Sequence, residues 1–470
     1  MSDISENIKK TDSNAQTVAP PQLSLSDDTT NNDDSDSCNN NGKSLPEDKD
    51  NTNANNSQDN HDNDSITLSS EDCAHSSKPF ATRLKNLLFE EFVEKFTPVY
   101  FVSIMGTGIS SNILYNFGYP AHWLRVCGII MFVIAVILFL ITSLMFLLSC
   151  YYYYPKRIMQ YNLNPNIAVF MGCYAMGYIT LINFIFYLDK VDIIFVWVLW
   201  WIAIIVSVYT AFITVFFSIL SKLSSEKINM NELNSTLLLP IVAITVVSSS
   251  GHIISPSLKT LNQTLITEIL SLILWCISIA LAFIIITIYY QRLILHKIPS
   301  TQLIFTSWLP VGFLGQSSFS IMMFGKNMYD LIEDKSVGNI FIVCSTMIGV
   351  FLLSFGYFNT FLAVISTLSK IRPFAKAELI HPHIKKGYIM KFNKAFWSMT
   401  FPLGTMALSN NELGKGLFGK VIYPLKFFRV LGCIYSVALF AVTIACLIGI
   451  IYTCIKLVKG LFRKNTIDMV

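Results

Sequence analysis

The sequence predicts an all-α integral membrane protein: ten transmembrane helices as five helical hairpins, with a short kinked inner ring around a central pore and a long outer ring. Three observations carry that expectation. Of 470 residues, 53% are apolar and only 14% charged, and mean hydropathy is +0.52, a balance that places a chain in lipid. Ten apolar runs follow one another from residue 97 onward, alternating in length. Prolines and hydroxyl groups recur together in the short runs.

Residues 1–79 carry 16 Asp+Glu against 5 Lys+Arg and are rich in Asn and Ser. Such a segment cannot bury enough apolar surface to offset the entropy of ordering, so it reads as a disordered acidic cytoplasmic tail. It has no basic-then-apolar run, hence no secretory signal. Residues 80–460 form the expected ten-helix transmembrane domain, and 461–470 a short cytoplasmic C-terminal tail.

The short runs cover 98–117, 167–188, 233–252, 302–324 and 394–409. At about 16 to 23 residues each they are just sufficient for a ~20-residue crossing. The long runs cover 121–153, 193–221, 265–293, 337–368 and 423–455. At about 29 to 33 residues they must tilt or project beyond a ~30 Å hydrocarbon core. Lys and Arg number 21 in the connections on the side shared with the N-terminus and 9 on the other, which puts both termini in the cytoplasm.

The short runs hold Pro98, Pro240, Pro310 and Pro402. They also hold Gly106–Thr107–Gly108, Ser110–Ser111–Asn112, Gly172 and Gly177, Ser248–Ser249–Ser250, Gln316–Ser317–Ser318, and Thr400 with Gly404 and Thr405. Polar groups belong inside a membrane protein and greasy surface belongs against the bilayer, so the short helices are expected inside. Pro240, Pro310 and Pro402 are expected to kink them. Freed backbone groups survive in a membrane only facing protein or a water-filled cavity. Phe401 stands at the Pro402 break, where a bulky ring either closes a pore or packs between helices. The residues alone leave both readings open.

Catalysis finds no support. No His, Asp or Glu pair is expected deep in the short runs, and neither HExxH nor GxxxxGK[ST] occurs. Ten cysteines form no CxxC pair, and no metal, cofactor or nucleic-acid partner is indicated. Hydroxyls, side-chain amides and backbone dipoles suit the passage of a small anion, because they replace hydration weakly enough for the ion to leave. Arg125 and Arg429, near the outer ends of long runs, either draw anions to the mouth or snorkel to the interface. Glu268, the one clear carboxylate within an apolar run, is expected on a lipid-facing helix, which disfavours proton-coupled import. His381–Pro382–His383 reads as a solvated loop.

The stretch Met105–Gly106–Thr107–Gly108–Ile109–Ser110–Ser111–Asn112 resembles the first-helix signature of the fungal sulfite efflux pumps. So do Tyr119–Pro120–Ala121–His122–Trp123–Leu124–Arg125, Leu314–Gly315–Gln316–Ser317–Ser318–Phe319 and Phe396–Trp397–Ser398–Met399–Thr400–Phe401–Pro402–Leu403–Gly404–Thr405–Met406. Those pumps belong to the tellurite-resistance/dicarboxylate transporter family, with plant slow anion channels and yeast malate permeases. The resemblance covers nearly all of 92–460. It implies five hairpins around a pseudo-fivefold pore, homotrimeric assembly, and occlusion of the pore by the phenylalanine matching Phe401. It further implies plasma-membrane export of sulfite or bisulfite, with a malate or other small-anion permease as the alternative. One departure is Cys173–Tyr174–Ala175–Met176–Gly177, where a proline is expected near Ala175; any kink there must come from Gly172 and Gly177.

Overall fold

A computed structural model describes residues 89–224, 233–299, 303–370, 394–416 and 425–467. The acidic tail expected over 1–79 and the loop holding His381 and His383 lie outside these residues. No strand occurs among the described residues, which are dominated by ten helices of 15 residues or more. We label them α1 (Phe101–Tyr115), α2 (His122–Tyr152), α3 (Met171–Tyr187), α4 (Ile193–Val208), α5 (Leu239–Ile254), α6 (Leu261–His296), α7 (Leu309–Leu331), α8 (Lys335–Leu368), α9 (Thr400–Gly414) and α10 (Lys426–Ile467). Two π-helical segments, Tyr209–Thr214 and Phe216–Leu220, prolong α4. Because α10 is helical through Ile467, the tail expected after residue 460 begins as a continuation of this helix.

Among the described residues, seven spans are long and apolar enough to cross a membrane: Pro165–Tyr187, Ser235–Ser257, and the five that contain α2, α4, α6, α8 and α10. Helices α1, α7 and α9 fall outside that set. Two of them have only 15 residues, and α7 carries Gly312, Gly315, Gln316 and four serines or asparagines in its length.

Burial separates the two classes. The Ser235–Ser257 span is 89% buried, whereas the corresponding stretch of α2 is 11% buried. In α2 the buried residues are Leu124, Gly128, Ala135, Thr142 and Ser149, a narrow stripe with steps of four and then seven residues. Its other faces show Ile130, Ile137, Leu144 and Leu147. Several polar residues of the long helices sit on such stripes, as with Ser345 and Asn359 in α8 or Ser436 and Thr443 in α10. Lipid-compatible side chains thus clothe the outside and hydroxyls turn inward.

Helix α1 packs against α3 and α9, α3 against α5, α5 against α7, and α7 against α9; each short helix also lies along the long helix that follows it. Glycine allows the closest of these approaches. A Cβ at Gly106 would fall on the Thr400 side chain and 2.8 Å from the Trp397 ring, and one at Gly315 would lie 2.8 Å from the Met406 nitrogen.

The prolines act at helix starts. Pro240 and Pro310 are second residues of α5 and α7, and Pro402 is third in α9. Each α-helix directly follows a 3-10 segment: Ser235–Leu238, Ile304–Trp308 and Lys394–Met399. Pro98 opens the 3-10 turn before α1. A first-turn proline loses no intrahelical hydrogen bond, so these prolines mark where α-helix begins after a 3-10 segment and do not break a helix as expected from the sequence. In α3, Gly172 is the second residue and the helix runs unbroken through Gly177.

Candidate functional site

A cavity of about 30 Å³ is lined by all five short helices. Ile109 and Asn112 come from α1, Thr180, Asn183 and Tyr187 from α3, and Val246 and Ile253 from α5. Gln316 and Phe319 come from α7, and Phe401 and Leu408 from α9. Space of that size can hold water molecules. Phe401 is 3% exposed.

The wall is largely apolar, with Asn112, Thr180, Asn183, Tyr187 and Gln316 as its polar members, and these lining residues include neither a carboxylate nor a cation. Asn112 Nδ2 donates to the carbonyl oxygens of Gly108 at 2.8 Å and Thr180 at 2.9 Å. Ser250 Oγ donates to Asn183 Oδ1 at 2.5 Å, which fixes the amide so that its NH₂ group is left for the cavity. Gln316 Nε2 donates to Ser249 Oγ, and Ser249 donates onward to the Val246 carbonyl at 2.8 Å. Asn112 spends both N–H groups on the Gly108 and Thr180 carbonyls, so the neutral donors left beside the cavity are on Asn183 and Gln316, of a kind that can meet an anion without trapping it.

Of the residues singled out from sequence, Asn112, Gln316 and Phe401 line this cavity. Ser249 and Ser250 stand one hydrogen bond behind it. The others make helix contacts. Gly108 abuts Thr180, and Thr107 and Ser111 return their hydroxyls to the α1 backbone. Ser110 meets Thr443 of α10 at 2.8 Å. Ser248 donates to the Ser271 carbonyl of α6 at 2.7 Å, and Ser318 to the Gly349 carbonyl of α8 at 2.7 Å. The Ser317 carbonyl accepts from Trp275 at 3.0 Å, and Thr400 and Thr405 bond carbonyls three residues back. Thr180, Asn183 and Tyr187 were not singled out. Their spacing of three and four along the second short run puts them on one helix face, and that was the available signal.

A larger cavity, about 420 Å³, opens where α1 passes to α2 and α9 approaches α10. Arg125, Lys415 and Arg429 line it with Asn411. Arg429 Nε donates to the Gly118 carbonyl at 2.7 Å, and its guanidinium lies 4.1 Å from the Tyr119 ring centre. Lys415 pairs with Glu412 at 2.9 Å.

Glu268 corrects one expectation outright. It lies on the inner stripe of α6, fully buried, and does not face lipid. Its Oε2 meets His252 Nδ1 at 2.6 Å, and its Oε1 accepts from Asn327 Nδ2 at 2.6 Å and from Ser255 Oγ. The polar residues Thr264, Thr267, Glu268, Ser271 and Ser278 mark one face of a 3.6-residue period, which the hydropathy of the run conceals.

The sequence pattern of the voltage-dependent anion channel family, SLAC1, matches residues 95–451. The chain belongs to this family. Among its relatives, this SLAC1-family chain is similar to the sulfite efflux pump SSU1 of Candida albicans, 50% identical over 385 residues that cover 81% of this chain and 79% of that protein. It is similar also to the sulfite efflux pump SSU1 of Saccharomyces cerevisiae, 33% identical over 420 residues, 79% of this chain and 90% of that one. The sulfite efflux pump SSU1 of Arthroderma otae is 28% identical over 364 residues, 75% and 91% of the respective chains. These likenesses agree with the resemblance read from the motifs. Family membership and the apolar spans together make this a multi-pass membrane protein.

Proposed function

We propose that this protein exports sulfite and bisulfite across the plasma membrane through a path enclosed by its five short helices, with Phe401 closing that path. The observation that carries the reading is the cavity beside Phe401, to which all five short helices and none of the long ones contribute. The family match and the names of the similar proteins supply the direction and the anion. In this reading all ten helices cross the membrane as five hairpins, three of them relying on burial rather than on their own hydropathy. Both termini are cytoplasmic, the cavity holding Arg125, Lys415 and Arg429 is the outer mouth, and three copies assemble as the resemblance implies.

An inside-negative potential drives the export. A monovalent anion leaving gains ~2.3 kcal/mol per 100 mV, equivalent to about fifty-fold outward concentration. Bisulfite therefore needs no coupled ion to leave. The test is growth on sulfite, with external sulfite measured, in cells lacking the gene and in cells carrying it. Carriers of the gene are expected to tolerate more sulfite and release it faster; equal tolerance and release would remove the proposal. Uptake of labelled malate by the same cells distinguishes the malate-permease alternative.

A further inference from the structure

We propose that the larger cavity is a second binding site, separate from the central one, and that it takes a sulfur or phosphorus oxyanion. It encloses about 420 Å³ and shares no lining residue with the cavity beside Phe401. Among the short helices, α1 and α9 line it through Tyr115, Asn411 and Gly414. The rest of the wall comes from the connection after α1, from Lys415, and from the starts of α2 and α10. Arg125 is the fourth residue of α2 and Arg429 the fourth of α10, so two long helices bring guanidinium groups to it from equivalent positions. The site goes beyond the transport reading and does not depend on it.

Charge decides the class of ligand. Two helix starts and two helix ends meet at this cavity, so their dipoles offset and the side chains set the field. Lys415 is neutralised by Glu412 at 2.9 Å. The lining residues include no carboxylate, and residues 417–424, which join α9 to α10 in sequence, contain neither Asp nor Glu. Arg125 is exposed, and neither it nor Arg429 makes an ion pair among the described residues. Two guanidinium charges are left for an anion.

The arrangement of donors narrows the class further. Arg429 donates to the Gly118 carbonyl from both Nε and Nη2, with the Tyr119 ring centre 4.1 Å away. That spends two of the five N–H groups of a guanidinium and leaves three on a side chain already held in place. Asn411, 8% exposed, lines the same wall. Its Oδ1 is buried where a Cβ at Gly432 would fall and has no hydrogen-bond partner, so the NH₂ branch is the part of this amide that can serve the cavity. Two planar forks and an amide offer several N–H groups to several oxygens, which suits sulfite or a phosphate group better than chloride. Sulfite, inorganic phosphate and a phospholipid headgroup share that chemistry.

The test is equilibrium dialysis of labelled inorganic phosphate against the full-length protein, delipidated in detergent, at constant ionic strength in chloride. Saturable binding of one phosphate per chain is expected, displaced by sulfite and not by the same concentration of added chloride. Arg125→Gln should weaken binding roughly ten- to hundredfold, the range for a hydrogen bond to a charged group, with part of the loss restored in Arg125→Lys. Arg429→Gln should weaken it likewise; because that side chain also packs on Tyr119, the exposed Arg125 carries the decision. Asn183→Leu serves as the central-cavity control and should bind phosphate as wild type does. No saturable binding, binding unmoved in Arg125→Gln, or binding lost in Asn183→Leu would overturn the proposal. Native mass spectrometry before delipidation assigns the source. A phospholipid retained by wild type and shed by Arg125→Gln supports a headgroup in this cavity, and phosphate binding by a chain that retains no lipid supports a free anion. No flux is measured, so failure here leaves the transport reading standing, and absent sulfite transport leaves this site standing.

Discussion

Asn112 on α1 donates from Nδ2 to the carbonyl oxygen of Thr180 on α3 at 2.9 Å, and both residues line the cavity beside Phe401. The bond ties two short helices together at the level of the central cavity. An interhelical polar contact in a membrane contributes about 0.6 kcal/mol on average and up to about 1.7. Asn112→Leu is therefore expected to lower stability by about 1 kcal/mol, seen as a lower thermal unfolding midpoint in detergent. An unmoved midpoint would show that the contact contributes nothing.

Asn183 lines the central cavity with its Oδ1 taken by Ser250, so in the proposed transport its NH₂ group is a donor for the ion. Hydrogen bonds to charged groups contribute about 1.5–3 kcal/mol. Replacing Asn183 with Leu is expected to cut sulfite flux at least tenfold while the protein still assembles normally. Flux within twofold of wild type would remove Asn183 from the path.

The alternation of short and long helices was legible because length and hydropathy are properties of a run, independent of its partners. Facing is a different matter. Glu268 looked lipid-facing because the surrounding leucines and isoleucines dominate the average, whereas its real position depends on which stripe of α6 meets α5 and α7. The same limit hid Asn183, one amide in an apolar run. Thr107, Ser111, Thr400 and Thr405 stood out as hydroxyls, yet each bonds its own helix backbone. Composition cannot separate a hydroxyl that satisfies its own turn from one that meets a ligand.

Gly106 touches α9 where Trp397 and Thr400 lie. Gly106→Ala inserts a methyl into that contact, and overpacking of this kind costs about 1–3 kcal/mol. A lower unfolding midpoint and a reduced yield of monodisperse protein are expected. Wild-type behaviour would mean that α1 and α9 can separate freely.

Arg125 is exposed at the larger cavity, where a positive charge raises the local anion concentration. Arg125→Gln should lower sulfite flux a few-fold at low ionic strength, with the deficit fading near 1 M salt, where the Debye length is about 3 Å. A deficit that does not change with salt would mean that Arg125 acts through packing.

Sulfite release from liposomes that hold only the full-length protein, compared with its Phe401→Ala variant under an imposed inside-negative potential, bears most directly on the closed path. Wild type is expected to release sulfite faster than protein-free liposomes, at a rate that grows with the potential, and Phe401→Ala to leak several-fold faster still. Release no faster than from protein-free liposomes, or equal rates from wild type and variant, would contradict a sulfite path closed by Phe401.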